Sequence, residues 1–165
     1  MFELKPISRN AIQEALAKAE RYRLLNDPQL AESICEDILH VDPDNMQAVV
    51  TLILALTDHR DRPAVVMRAK EYVSRLAPGY EQNYYTGLIW ERLATAWLRQ
   101  GLPGSAHDTH DAYREAMRCY ELAETQRPPG NDDAILRWNT CARILNAHPE
   151  LRPRPAEQYQ AVLDD

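Results

Sequence analysis

The sequence predicts an all-α chain. Apolar residues recur at intervals of three and four, proline and glycine interrupt the pattern every few turns, and the apolar segments are long and weakly β-branched. The first such segment, residues 8–25, carries Ile12, Ala15, Leu16, Ala19 and Tyr22 on one face and is broken by Asn26-Asp27-Pro28. A second opens with Asp27 as N-cap and Pro28 in its first turn, runs Leu30, Ala31, Ile34, Cys35 and Ile38 on one side, and stops at Asp42-Pro43. A third is expected over residues 44–58. A fourth starts after Arg60-Asp61-Arg62-Pro63 and continues to Leu76, ahead of Pro78-Gly79. Residues 82–99 and 108–126 form two longer helices separated by Gly101-Leu102-Pro103-Gly104, and Pro128-Pro129-Gly130 ends the second. Asn131 or Asp132 caps a last helix reaching about Ala147.

The domain organisation follows: one helical domain over residues 1–147, then a proline-rich tail over 148–165. Pro149, Pro153 and Pro155 make the first half of the tail extended, with one helical turn near residues 156–163. At 165 residues the chain buries about two-thirds of its unfolded surface without needing a metal or disulfide staple. Cys35, Cys119 and Cys141 are too widely spaced for a metal motif and read as apolar fillers in a reducing, cytoplasmic compartment. The net charge of −6 opposes nucleic-acid binding, and no apolar run is long enough for a membrane span.

Pairs of short helices cannot each bury their apolar face alone, so a period is sought before a fold. Aligned on the closing prolines, Ala31, Cys35, Ile38 and Pro43 match Ala116, Tyr120, Ala123 and Pro128 at the same offsets. This pattern resembles the second helix and closing proline of the tetratricopeptide repeat (TPR), and Tyr22 fits the aromatic position of the family's first helix. The resemblance implies a TPR-like right-handed stack of antiparallel helix pairs, about three repeats plus a C-terminal capping helix, over roughly residues 12–147. The second repeat is degenerate, with Ala64 and Ala69 beside rather than on the small position. Pro78 to Pro128 spans 50 residues against a family period of 34, enough for about two extra turns on each helix. An overhanging third hairpin is therefore expected, tipped by residues 101–110.

The resemblance also implies a concave groove lined by set positions of each first helix. On the first these fall on Leu16, Glu20 and Arg23; on the third, Val50 and Leu54; on the fifth, Tyr85, Ile89 and Arg92; on the last, Asn139 and Arg143. Leu16, Val50, Leu54, Tyr85 and Ile89 would form an apolar strip edged by charge, suited to a helical or extended apolar segment of another protein. The family's carboxylate clamp is absent, because its positions carry Leu16, Glu20, Thr51 and Gln82.

The expectation is thus a protein–protein interaction scaffold or adaptor acting on another protein, with no nucleic acid, membrane or cofactor involved. One alternative is a small TPR-type assembly or secretion chaperone, of a kind that often forms a homodimer. A second is a metal-dependent enzyme using His107, His110 and Asp111 in a loop over residues 107–111; a polar approach to a helix with an acidic first turn explains the same residues without metal. Glu36, Asp37 and His40 share a helix face at ion-pair spacing. Trp90 with Trp97, and Tyr113 with Tyr120, repeat at seven residues and read as core of the long hairpin. No nucleophile or phosphate-loop motif is present, and Arg152-Pro153-Arg154-Pro155 misses the PxxP spacing of a polyproline ligand.

Overall fold

The computed structural model describes residues 2–59 and 62–153. Among them every regular element is helical. A short 3-10 turn, Arg9–Ala11, leads into α1 (Ile12–Leu24); then come α2 (Pro28–Val41), α3 (Met46–Thr57), α4 (Pro63–Arg68), α5 (Lys70–Val73), α6 (Tyr80–Gln100), α7 (Ser105–Glu124) and α8 (Asp133–Ala147).

The boundaries have local causes. Asn26, at φ 61°, turns the chain into the left-handed region and ends α1. Asp27 accepts a hydrogen bond from the Leu30 N–H at 3.2 Å and, with Pro28 behind it, starts α2. Asn45 does the same for α3 through the Ala48 N–H at 2.9 Å. Gly101, at φ 57°, closes α6 by donating its N–H to the Trp97 carbonyl, which glycine does without a Cβ penalty.

Each helix packs on its neighbour in sequence, and the alternate helices α1, α3, α6 and α8 also touch one another in order. The α6–α7 interface is the most extensive, because these helices are 21 and 20 residues long against 13 and 14 in α1 and α2. Three apolar clusters fill the interior. Ile12, Leu16, Ile38 and Ala48 form one at the amino-terminal end. A central cluster surrounds α3, whose Val49, Leu52, Ile53, Ala55 and Leu56 are closed to solvent. The third joins α6, α7 and α8 through Ala94, Tyr113, Ala116, Tyr120, Ala134 and Cys141. Trp90 and Trp97 pack against both of the larger clusters.

Three expectations change. The fourth helix does not run unbroken to Leu76: it is split at Ala69, which is fully buried, and no proline or glycine within residues 64–76 announces the break. The tip of the long hairpin is shorter than residues 101–110, since α7 begins at Ser105 and takes His107, Asp108, His110 and Asp111 into the helix. The tail is not wholly separate either: Leu151 is buried in the third cluster, and the His107 Nδ1 donates to the Arg152 carbonyl at 2.8 Å. Residues 154–165, including the expected helical turn over 156–163, lie outside the described residues.

Candidate functional site

Helices α1, α3, α6 and α8, which touch in order, carry the expected groove residues, some at the surface and others in the interior. Val50 and Leu54, one turn apart on α3, are half-buried, and Val50 packs with Tyr85 of α6 against the central cluster. Burial pushes the Tyr85 phenol up to about 12, and its ring stands edge-on to Tyr84 at 5.2 Å. Arg23 crosses from α1 to Asp58 at the end of α3, with both its Nε and its Nη2 3.0 Å from Oδ2. This ion pair ties the first two alternate helices together at one end of the strip. Glu20 and Arg143 are exposed; Arg92 and Asn139 are half-buried.

Leu16 and Ile89 are corrections. Leu16 is 1% exposed and Ile89 is fully buried, so both belong to the packed interior and offer a partner no surface. Helix α1 rests on Leu16, and α6 turns Ile89 toward the residues surrounding α3. The strip that remains accessible is Val50, Leu54 and Tyr85.

His107, His110 and Asp111 do not converge on a metal site. His107 is engaged with the Arg152 carbonyl, whereas His110 contacts Asp111 at 3.0 Å. Among the described residues, no three His, Cys, Asp or Glu side chains are arranged to hold a metal ion. The expected pairing of Glu36 or Asp37 with His40 is replaced by Arg68 of α4, which meets Glu32 at 2.9 Å and Glu36 at 3.8 Å. Burial and the neighbouring Glu32 raise the Glu36 carboxyl above its usual range. The three cysteines are free and buried; desolvation pushes Cys35 and Cys141 up to about 12 and Cys119 to about 11, so they stay thiols at neutral pH.

Two further features escaped the sequence. Glu91, 6% exposed on α6, accepts a 2.6 Å hydrogen bond from the Tyr120 hydroxyl of α7 and a 3.0 Å bond from Arg137 of α8. The legible signal was a charge on the face of Gly87, Leu88, Ala94 and Thr95. Glu91 and Tyr120 are closed to solvent while the Arg137 side chain stays 31% exposed, and the network cross-links three helices, so its chemistry is structural. The second feature is a polar trench between α2 and the start of α4, formed by clefts of about 280 and 310 Å³ that meet at Gln29, His59 and Arg62. The His59 Nε2 is buried there, 3.6 Å from the Glu32 Oε2 and without a hydrogen bond among the described residues.

No helix among the described residues is long and apolar enough to cross a membrane. Comparison of the chain with family models gave no match, and neither the curated proteins nor the solved structures gave one.

Proposed function

We propose that this chain is a TPR-like stack of antiparallel helix pairs, about three repeats closed by α8, that serves as a protein-interaction scaffold and holds a helical or extended apolar segment of another protein. The fold half of the reading is supported by the two aligned motifs. Ala31, Cys35 and Ile38 of α2 and Ala116, Tyr120 and Ala123 of α7 are all at most 1% exposed, as matching positions of two repeats would be. The contacts of α1 with α3, α3 with α6 and α6 with α8 add to it. The observation that carries the functional half is the half-buried strip of Val50, Leu54 and Tyr85, flanked by the Arg23–Asp58 pair, in which apolar anchors sit beside fixed charge. Buried, unpaired thiols support a reducing, cytoplasmic setting.

Selection from a random display library on the full chain should enrich amphipathic or extended apolar peptides. Leu54→Glu should abolish their binding while the helical circular dichroism is kept. Enriched peptides without an apolar pattern, or binding indifferent to Leu54→Glu, would end this reading.

A further inference from the structure

At the amino-terminal edge of the molecule a cleft of about 230 Å³ opens between α1 and α2, lined by Ile7, Ala11, Ala15 and Ile34 and bordered by Glu14, Lys18 and Asp37. Immediately before Ile7 the chain carries Phe2 and Leu4, which are 102% and 90% exposed. They alternate with Glu3 and Lys5, so an extended arm presents both apolar groups on one side. Two solvated apolar side chains thus lie three and five residues before Ile7, a wall of this cleft, and the arm does not enter its own cleft for a local reason. Ile7 is itself a wall, so entry would require a reversal within Lys5-Pro6. There the pyrrolidine ring fixes φ and pushes Lys5 toward extended backbone.

We propose that the occupant is the arm of a second copy: two chains exchange residues 2–6, each placing Phe2 and Leu4 in the other's α1–α2 cleft. The charges agree with this pairing. Glu14 and Lys18 bridge each other at 3.0 Å, leaving Asp37 as the rim carboxylate without an ion pair or hydrogen bond among the described residues, and Lys5 of the arm is likewise without one. A reciprocal exchange is isologous and closes at two copies. The two Phe2 rings remove roughly 300–500 Å² from water and the cleft walls about as much again; with Leu4 added, this approaches the ~1,200 Å² at the low end of specific interfaces. The dimer is therefore expected in the micromolar range, apart from the groove and independent of what the groove holds.

Sedimentation equilibrium of the full chain, from low micromolar to submillimolar concentration, reads the exchange as a mass rising toward twice the monomer. Phe2→Ser with Leu4→Ser empties the arm, and Ala15→Arg fills the half-exposed cleft. Each should weaken dimerisation about tenfold or more with circular dichroism unchanged. Mixing the two variants should recover a heterodimer through the one intact arm and the one intact cleft, and Lys5→Asp should be rescued by Asp37→Lys. A mass that stays monomeric at every concentration overturns the proposal, as does a dimer that both variants leave intact, or a monomer whose Phe2 is protected from solvent by its own cleft.

Discussion

In α1 and α2 the buried faces are Ile12, Leu16 and Ala19 against Ala31, Cys35 and Ile38, apolar throughout, whereas α6 and α7 close round a carboxylate. Small apolar faces let helices approach but tolerate sliding, since one turn along finds another apolar group. A buried Glu91 bonded to Tyr120 and Arg137 does not tolerate it, because a shift by one turn strands a charge away from water. The short hairpin is held by shape, and the long one, with more surface along which to slip, is pinned at one point. Gly87 makes that pin possible: a Cβ there would lie 2.7 Å from the Tyr120 ring.

The comparison can be broken at the pin first. Arg137→Ala leaves Glu91 buried without its cation and should cost about 3 kcal/mol, read as a lowered midpoint in urea with an unchanged slope. Replacing the three together, with Glu91→Met, Tyr120→Phe and Arg137→Leu, should recover most of that loss; an equal or larger loss in the triple variant would show that the network adds net stability beyond register. Next is Ile38→Ala in the short hairpin. It should cost about 2–3 kcal/mol through transfer and cavity terms, and thermal unfolding would measure it. Gly87→Ala is smaller and tests a sign: helix propensity favours alanine by about 1 kcal/mol, while crowding against the fixed Tyr120 ring costs about 1–3 kcal/mol, so a net loss near 1 kcal/mol is expected. A gain would mean that the ring moves freely.

The mildest effect concerns pH. Burial raises Tyr113 and Tyr120 above the ordinary phenol range and pushes Tyr85 up to about 12. Unfolded phenols ionise near 10, so the stability these groups contribute is whole below about pH 10. It is lost as pH rises toward 12, because the unfolded chain gives up its protons first. Denaturant titrations across this range should show stability falling more gently in Tyr85→Phe than in the parent chain.

How much of this was legible depends on the distance over which a residue is decided. Helix ends were readable because Asp27, Pro28, Asn26 and Gly101 act on their own backbone. The faces of α2 and α7 were readable because their closing prolines set a common ruler, and Trp90, Trp97, Tyr113 and Tyr120 pack as core as their spacing suggested. The break at Ala69 was not, since local propensity is continuous there and the packing of α4 and α5 on α3 and α6 decides it. Glu91 was visible as an oddity, but its partner Arg137 lies 46 positions away. Among the expected groove residues, helical spacing could not tell depth: Val50, Leu54 and Tyr85 stop half-way to the surface, while Leu16 and Ile89 go under.

The returning segment after α8 bears on how the helices come apart. Helices packed on fewer neighbours open at lower cost. Here Leu151 and the His107–Arg152 bond fasten residues 148–153 to the tip of the long hairpin, so α6, α7 and α8 form a closed loop of contacts. Among the described helices, α1 and α2 should therefore open before α6, α7 and α8, and amide exchange would record that order.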